Sequence, residues 1–290
     1  MSFSRAGIFV LILLTVFIGA NCSYYNRVIA RKNLVDGGKA YKDRNFQEAE
    51  QLFRDAVARD PEGTTVEGKT AQLFLARTLH SVYIGNRQNP DKAEEAINEY
   101  KEVLAEDIKD SSSFSAVANL LENLNRQDEW LQWVTARANN EQVPPEQRAE
   151  AITKLAAKKY SCANDISDVE PVKKTVTKEG KSEYVFTKPQ DPNTFEEFKK
   201  CVAEGNELTD RAAKLDPNSD AVWSYRANML VQQMRLAEME GRPAPEQEAI
   251  KADAEKAKER FTELARIKRE KEEAEEQRKK AEAEAAAAKK

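Results

Sequence analysis

At 290 residues the chain can bury a substantial core, and its 40% hydrophobic content is spread thinly, which suits one extended helical array or two small domains. Its 46 basic and 50 acidic residues leave a net charge of −4, so no global field draws it to nucleic acid or an anionic surface. One histidine and three cysteines supply too little for a zinc site, a Ser/His/Asp triad or a Cys/His pair. No glycine-rich phosphate loop or nucleophile motif is present either, so neither an enzyme, a metal, a cofactor nor a small-molecule substrate is expected.

The first element is an address. Arg5 precedes an unbroken apolar run from Gly7 to Ile18, and small residues follow at Gly19 and Ala20, the layout of a secretory signal. The run is shorter than the roughly 20 residues a transmembrane helix needs. The stretch Ile18-Gly19-Ala20-Asn21-Cys22 resembles a bacterial lipobox, which implies lipidation of Cys22; Asn21 and Gly19 depart from its usual small and aliphatic residues. Cleavage after Ala20 and retention as an uncleaved anchor stay open. Arg27, Arg31 and Lys32 follow the run while Arg5 and the α-amine precede it, so the flanking charges do not settle orientation and an uncleaved anchor could face inward.

In the chain as a whole, ten glycines, and ten prolines placed mostly at breaks in the pattern, describe a mostly helical protein. Between Leu34 and Pro61 small residues at Gly37, Ala49 and Ala56 allow two antiparallel helices to approach, Phe46 and Phe53 fill the gaps beside them, and Arg44-Asn45 makes the turn. With Asp60-Pro61 at its end, this stretch resembles a 34-residue tetratricopeptide repeat. A second copy follows in Leu75-Ala76, Ala96, Tyr100, Val103 and Asp107, with its turn lengthened to Gly85–Pro90 and Asp91 expected to cap the second helix. A third, degenerate pair runs through Phe114, Val117, Leu120, Leu121 and Leu124, then Trp130, Trp133 and Val134. Trp130 and Trp133 read either as core or as an exposed aromatic platform.

Pro145-Glu146 starts a helix toward Cys162. Between Asp168 and Pro192 the pattern changes. Lys174-Thr175-Val176-Thr177, a Glu179-Gly180 turn and Tyr184-Val185-Phe186-Thr187 predict a β-hairpin or extended arm. Phe195, Phe198, Cys201, Val202 and Leu208 resume a helical face, and Leu215-Asp216-Pro217 resembles a repeat end. Residues 220–240 and 246–265 are expected as the last helix pair, joined by Gly241–Pro245. Cys162 and Cys201 form one disulfide in an oxidising compartment, or remain two buried thiols. From Arg266 onward Lys, Arg, Glu, Gln and Ala dominate, with Glu275/Lys279 and Glu276/Lys280 spaced for ion pairs, which predicts a solvated helix or frayed tail. Ile267, Ala274, Ala281 and Ala288 repeat every seven residues, but alanine buries too little to drive a coiled coil.

The expected fold is therefore all-α: a right-handed helical-hairpin solenoid of tetratricopeptide type, with a small β-hairpin insertion and a long charged C-terminal helix. Residues 1–22 form a signal or anchor, 23–140 and 145–265 the two repeat modules with the insertion at 169–192, and 266–290 the tail. The resemblance implies a concave groove that binds an extended peptide or partner helix. Its groove positions correspond to Gly38, Tyr41 and Lys42, then Arg77, His80 and Ser81, then Asn228, Val231 and Gln232. Lys42, Arg77 and His80 together would receive a carboxylate. The function implied is a membrane-tethered scaffold for a protein partner in the bacterial envelope, with the folded domain in the periplasm. A structural subunit of a membrane complex, gripping through hairpin and tail, is the alternative.

Overall fold

The computed structural model describes residues 5–178 and 180–287, with side chains from Tyr24 onward apart from Lys178. The apolar run Gly7–Ile18, Cys22, Glu179 and Ala288 lie outside the residues whose side chains are described. Among the described residues the fold is all-α, with ten helices and one two-stranded antiparallel sheet. The helices pair as tetratricopeptide-like hairpins. No helix among the described residues is long and apolar enough to cross a membrane. The chain divides into two compact units, one ending at Trp130 and one beginning at Leu131.

In the first unit, α1 (Arg5–Lys42), α2 (Phe46–Val57), α3 (Val66–Gly85), α4 (Pro90–Glu106) and α5 (Ser111–Asn123) each pack on the next, and α1 also reaches α3. Ala49, Phe53, Ala56, Ala71, Ala76, Leu79, Ala96 and Ile97 are wholly buried between them. Gly37 is the contact that lets α1 and α2 close: a Cβ there would stand 2.8 Å from Cε1 of Phe53, whose ring fills the space a side chain would take. The turn after α1 is a Schellman cap. Asn45 N donates to Ala40 O at 2.9 Å, Arg44 N to Tyr41 O at 3.0 Å, and Arg44 takes the left-handed φ of 61°. Asn125 (φ 56°) and Gly241 (φ 69°) close α5 and α9 the same way.

Asp60 has a local reason to stand before Pro61. Its carboxylate accepts from the backbone and hydroxyl groups of both Thr64 and Thr65, while Thr65 Oγ1 caps α3 by accepting from Gly68 N at 3.0 Å. Burial pushes the Asp60 carboxyl up, and the hydrogen bonds from Thr65 and Thr64 outweigh it, leaving it below its usual range. The expected cap of α4 is displaced: Asn89 occupies the cap position, Pro90 the first turn, and Asp91 lies one step inside. Proline's fixed φ suits the first helical position, and Asp91 there faces the positive end of the helix dipole.

The boundary between the units falls inside α6 (Gln127–Asn139). Trp130 is buried and Trp133 half-buried, so the exposed platform does not form. In the second unit α7 (Pro145–Ser167) packs on α8 (Pro192–Leu215) and α9 (Asp220–Glu240), and α9 on α10 (Ala244–Ala287). The last helix starts two residues before the expected 246 and does not stop at 265. Leu264 is its last buried residue; from Lys268 to Ala287 every residue is exposed. Pairs such as Lys279–Glu275 (2.7 Å) and Lys280–Glu276 (2.6 Å) run along that stretch.

The insertion is the hairpin of β1 (Lys173–Lys178) and β2 (Lys181–Phe186), with Lys173 opposite Phe186 and Lys178 opposite Lys181. Gly180 supplies the positive φ (78°) that a two-residue turn needs. A disulfide joins Cys162 on α7 to Cys201 on α8, their Cα atoms 6.2 Å apart, so the hairpin lies within the loop it closes. Val172, Phe198, Val202, Leu236 and Met239 form a core cluster beside it.

Candidate binding cleft

A cleft of about 630 Å³ opens in the first unit, where the end of α1 and the following turn meet α3. Tyr41, Lys42, Arg77, His80 and Ser81, all expected in the groove, line it together. Helical spacing explains the set: Arg77, His80, Ser81 and Ile84 recur on one face of α3, and Tyr41-Lys42 close the facing helix. Gly38 and Val231 do not line it, nor do Asn228 and Gln232, which belong to the other unit.

The floor is aromatic. Tyr41 stands edge-on to Phe46 (5.5 Å between centroids) and to Phe74 (6.2 Å), and Phe74 stacks on Phe53 at 5.5 Å. The Tyr41 hydroxyl pairs with Ser81 Oγ at 3.1 Å, and Ser81 Oγ donates to Arg77 O at 2.9 Å. Tyr41 is thus locked in orientation with part of its ring toward the cleft.

The cations are placed differently from those on the α2–α4 face. On the α2–α4 face, Glu50 accepts from Arg54 at 2.9 Å and from Lys92 at 2.8 Å, and both cations also meet Glu95. Burial pushes Glu50 up, and those hydrogen bonds outweigh it and hold it ionised. Among the described residues, Lys42, Arg44 and Arg77 meet no carboxylate at all; Arg77 instead lies over the Phe74 ring at 5.4 Å. Unneutralised cations beside aromatic faces are an anion receptor in form.

His80 departs from the expected role. It stands edge-on to Tyr100, with Nδ1 3.4 Å from the Tyr100 hydroxyl, and burial pushes its pKa down. At neutral pH it is uncharged, so the charge for an anion comes from Lys42, Arg44 and Arg77, while His80 offers a hydrogen bond. Tyr100 is itself held protonated by burial.

Sequence reasoning missed Arg44, Phe46, Ile84 and Tyr100 as lining residues. Arg44 was legible only as a turn residue, yet its left-handed backbone sits at the cleft mouth; Tyr100 arrives from α4 through the helix packing. Gln232 is corrected outright. It is 1% exposed, accepting from Ser167 Oγ at 2.7 Å and donating to Asn164 Oδ1 at 3.3 Å, so it is an interior tie between α9 and α7. Asn228 is half-buried on α9, and neither it nor Gln232 lines the clefts described in the second unit, one of about 450 Å³ beside Glu150, Thr153, Asp216 and Tyr225 and one of about 520 Å³ beside Asp220, Arg260 and Leu264.

No protein-family model and no curated protein matches the chain. Solved structures that resemble it include pilF of Pseudomonas aeruginosa (16% identity over 83% of this chain and 93% of that one, TM-score 0.41). A MamA protein is similar at 9% identity over 84% and 96% (TM-score 0.38). A tetratricopeptide repeat protein from Parabacteroides merdae is similar at 12% identity over 81% and 90% (TM-score 0.34).

Proposed function

We propose that the chain is a non-enzymatic scaffold tethered to the bacterial envelope membrane by its N-terminal segment, whose first unit receives a carboxylate-bearing segment of a partner protein. The observation that carries this reading is the contrast in charge pairing. Glu50, Arg54, Lys92 and Glu95 neutralise one another on one face, whereas Lys42, Arg44 and Arg77 stand together without a carboxylate in an aromatic cleft. A charge cluster left unpaired costs stability through mutual repulsion, and a bound anion relieves it. The Cys162–Cys201 pairing supports an oxidising compartment, in keeping with export.

The test is a photo-crosslinking residue in place of Ile84, activated in intact cells. The expected result is a protein adduct that disappears in Lys42→Glu/Arg77→Glu, with the helical circular dichroism of the variant unchanged. An adduct pattern indifferent to charge reversal would remove the cleft from the proposal.

A second reading, a structural subunit of a membrane complex that grips through its insertion, is favoured by how firmly the hairpin root is held. Arg235 lies over the Phe186 ring at 4.6 Å and donates to Ser167 Oγ at 2.8 Å, and Glu238 accepts from Phe186 N at 3.0 Å. Deletion of 169–192 that releases a partner in detergent extract, where Lys42→Glu/Arg77→Glu does not, would select this reading.

A further inference from the structure

The hairpin is anchored at one end and open at the other. At the root, Val172 is buried, Lys173 bonds to Asp168 at 2.7 Å, and Thr187 N donates to Val172 O at 2.8 Å. That last bond fixes the parity of the ladder. In an antiparallel pair, hydrogen-bonded and non-hydrogen-bonded positions alternate. With 172 opposite 187 hydrogen-bonded, 174/185, 176/183 and 178/181 also exchange bonds, and 173/186, 175/184 and 177/182 turn their backbone groups outward. The Phe186 N–H bond to Glu238 agrees, since Phe186 is an outward position.

The outward groups divide between two edges. On β2 the edge is engaged at its root by Glu238 on α9. On β1, Lys173 N turns back to Val169 O at 2.9 Å, and beyond it Thr175 and Thr177 present N–H and C=O groups with no partner among the described residues. Residues 174–177 are all exposed, Val176 included at 38%. An exposed row of unpaired donors and acceptors is a template for another strand.

Charge selects the occupant. Lys174 and Val176 share one face of β1, Lys181 opens β2 beside the turn, and Lys173 is on the other face over the Tyr184 ring at 4.3 Å. Glu183 is the one described acidic residue within the two strands. A second copy adding edge to edge would set lysines against lysines, the device by which sheet edges exclude their own kind.

We infer that the β1 edge, at Thr175 and Thr177, receives an extended acidic segment of a partner protein by strand addition. This rests on the second reading above, that the hairpin is a contact element, and is independent of the cleft. Main-chain bonds supply the register, and the lysines discriminate against basic or self strands.

The experiment uses the full chain in detergent and a synthetic eight-residue peptide alternating Glu with Val or Thr, alongside its Lys-for-Glu counterpart. Binding is read by fluorescence anisotropy and by hydrogen exchange at Thr175 and Thr177. Because both amides point away from β2, Thr175→Pro/Thr177→Pro removes the outward donors without removing a ladder bond, and Thr175→Val/Thr177→Val keeps them. The expected outcome is protection of both amides by the acidic peptide, at least tenfold weaker binding in the proline variant, retention in the valine variant, and no binding of the lysine peptide. Binding lost on deleting 169–192 but unchanged by the prolines would overturn strand addition and leave the hairpin as a contact. Binding indifferent to the deletion, or none up to millimolar peptide, overturns the inference, while partner release from detergent extract on deleting 169–192 separately decides the reading beneath it.

Discussion

Arg44 holds a left-handed backbone where glycine is the unstrained choice, a cost of about 1–2 kcal/mol for a residue with a Cβ. Gly241 shows what the same cap looks like without that cost. Arg44→Gly is expected to stabilise the first unit by about 0.5–1 kcal/mol in urea unfolding, glycine's extra unfolded-state entropy offsetting part of the relief, while weakening capture at the cleft. Gly37→Ala acts in the opposite direction. Its methyl group meets Phe53 inside a filled core, and a loss of about 2 kcal/mol is expected in the same assay. His80 makes a pH prediction that no other side chain can imitate, because it is the one histidine in the sequence. Its folded pKa lies below the unfolded value of about 6.5, so the native state takes up its proton less readily, and stability is lost as pH falls below about 6.5. Glu99, pushed up by burial, works with the opposite sign in the acid range. The readout is therefore the stability of wild type minus that of His80→Gln, which should fall steadily from pH 7 toward pH 5.

Among the elements, the hairpin was legible because its pattern switches to period two around a glycine turn, and α10 because its charges are spaced for i,i+4 pairs. The start of α10 was not legible: Gly241-Arg242-Pro243 reads as a linker, yet proline at 245 is tolerated in a first helical turn, and the helix begins at Ala244. Two element-scale outcomes follow from what each one buries. Replacing both Cys162 and Cys201 by serine should cost the second unit about 4 kcal/mol in the chain-entropy view of a loop with 39 residues of separation, seen as a lower urea midpoint. Truncation after Ile267 should reduce helical ellipticity and leave the thermal midpoint of the second unit in place, since every residue removed from 268 to 287 is exposed.

At the scale of the molecule, the tether and the partner site are separable questions. Intact mass of the mature protein should show a start at Cys22 carrying lipid; a start at Asn21, or retention of Met1, would replace that tether by release or by an uncleaved anchor. The same measurement with and without reduction reads the Cys162–Cys201 bond. What the sequence determined by itself was the helical class, the hairpin turns and the first repeat, because small residues, capping side chains and turn geometry act over a few positions and leave their trace in spacing. What only the tertiary structure decided was which side chains meet. Tyr41 and Arg77 share a cleft because α1 and α3 are brought together over Phe53, and Gln232, at a groove position by repeat counting, faces inward to Ser167 because α9 packs that side against α7. Burial and charge pairing depend on neighbours distant in the chain, and no local pattern encodes them.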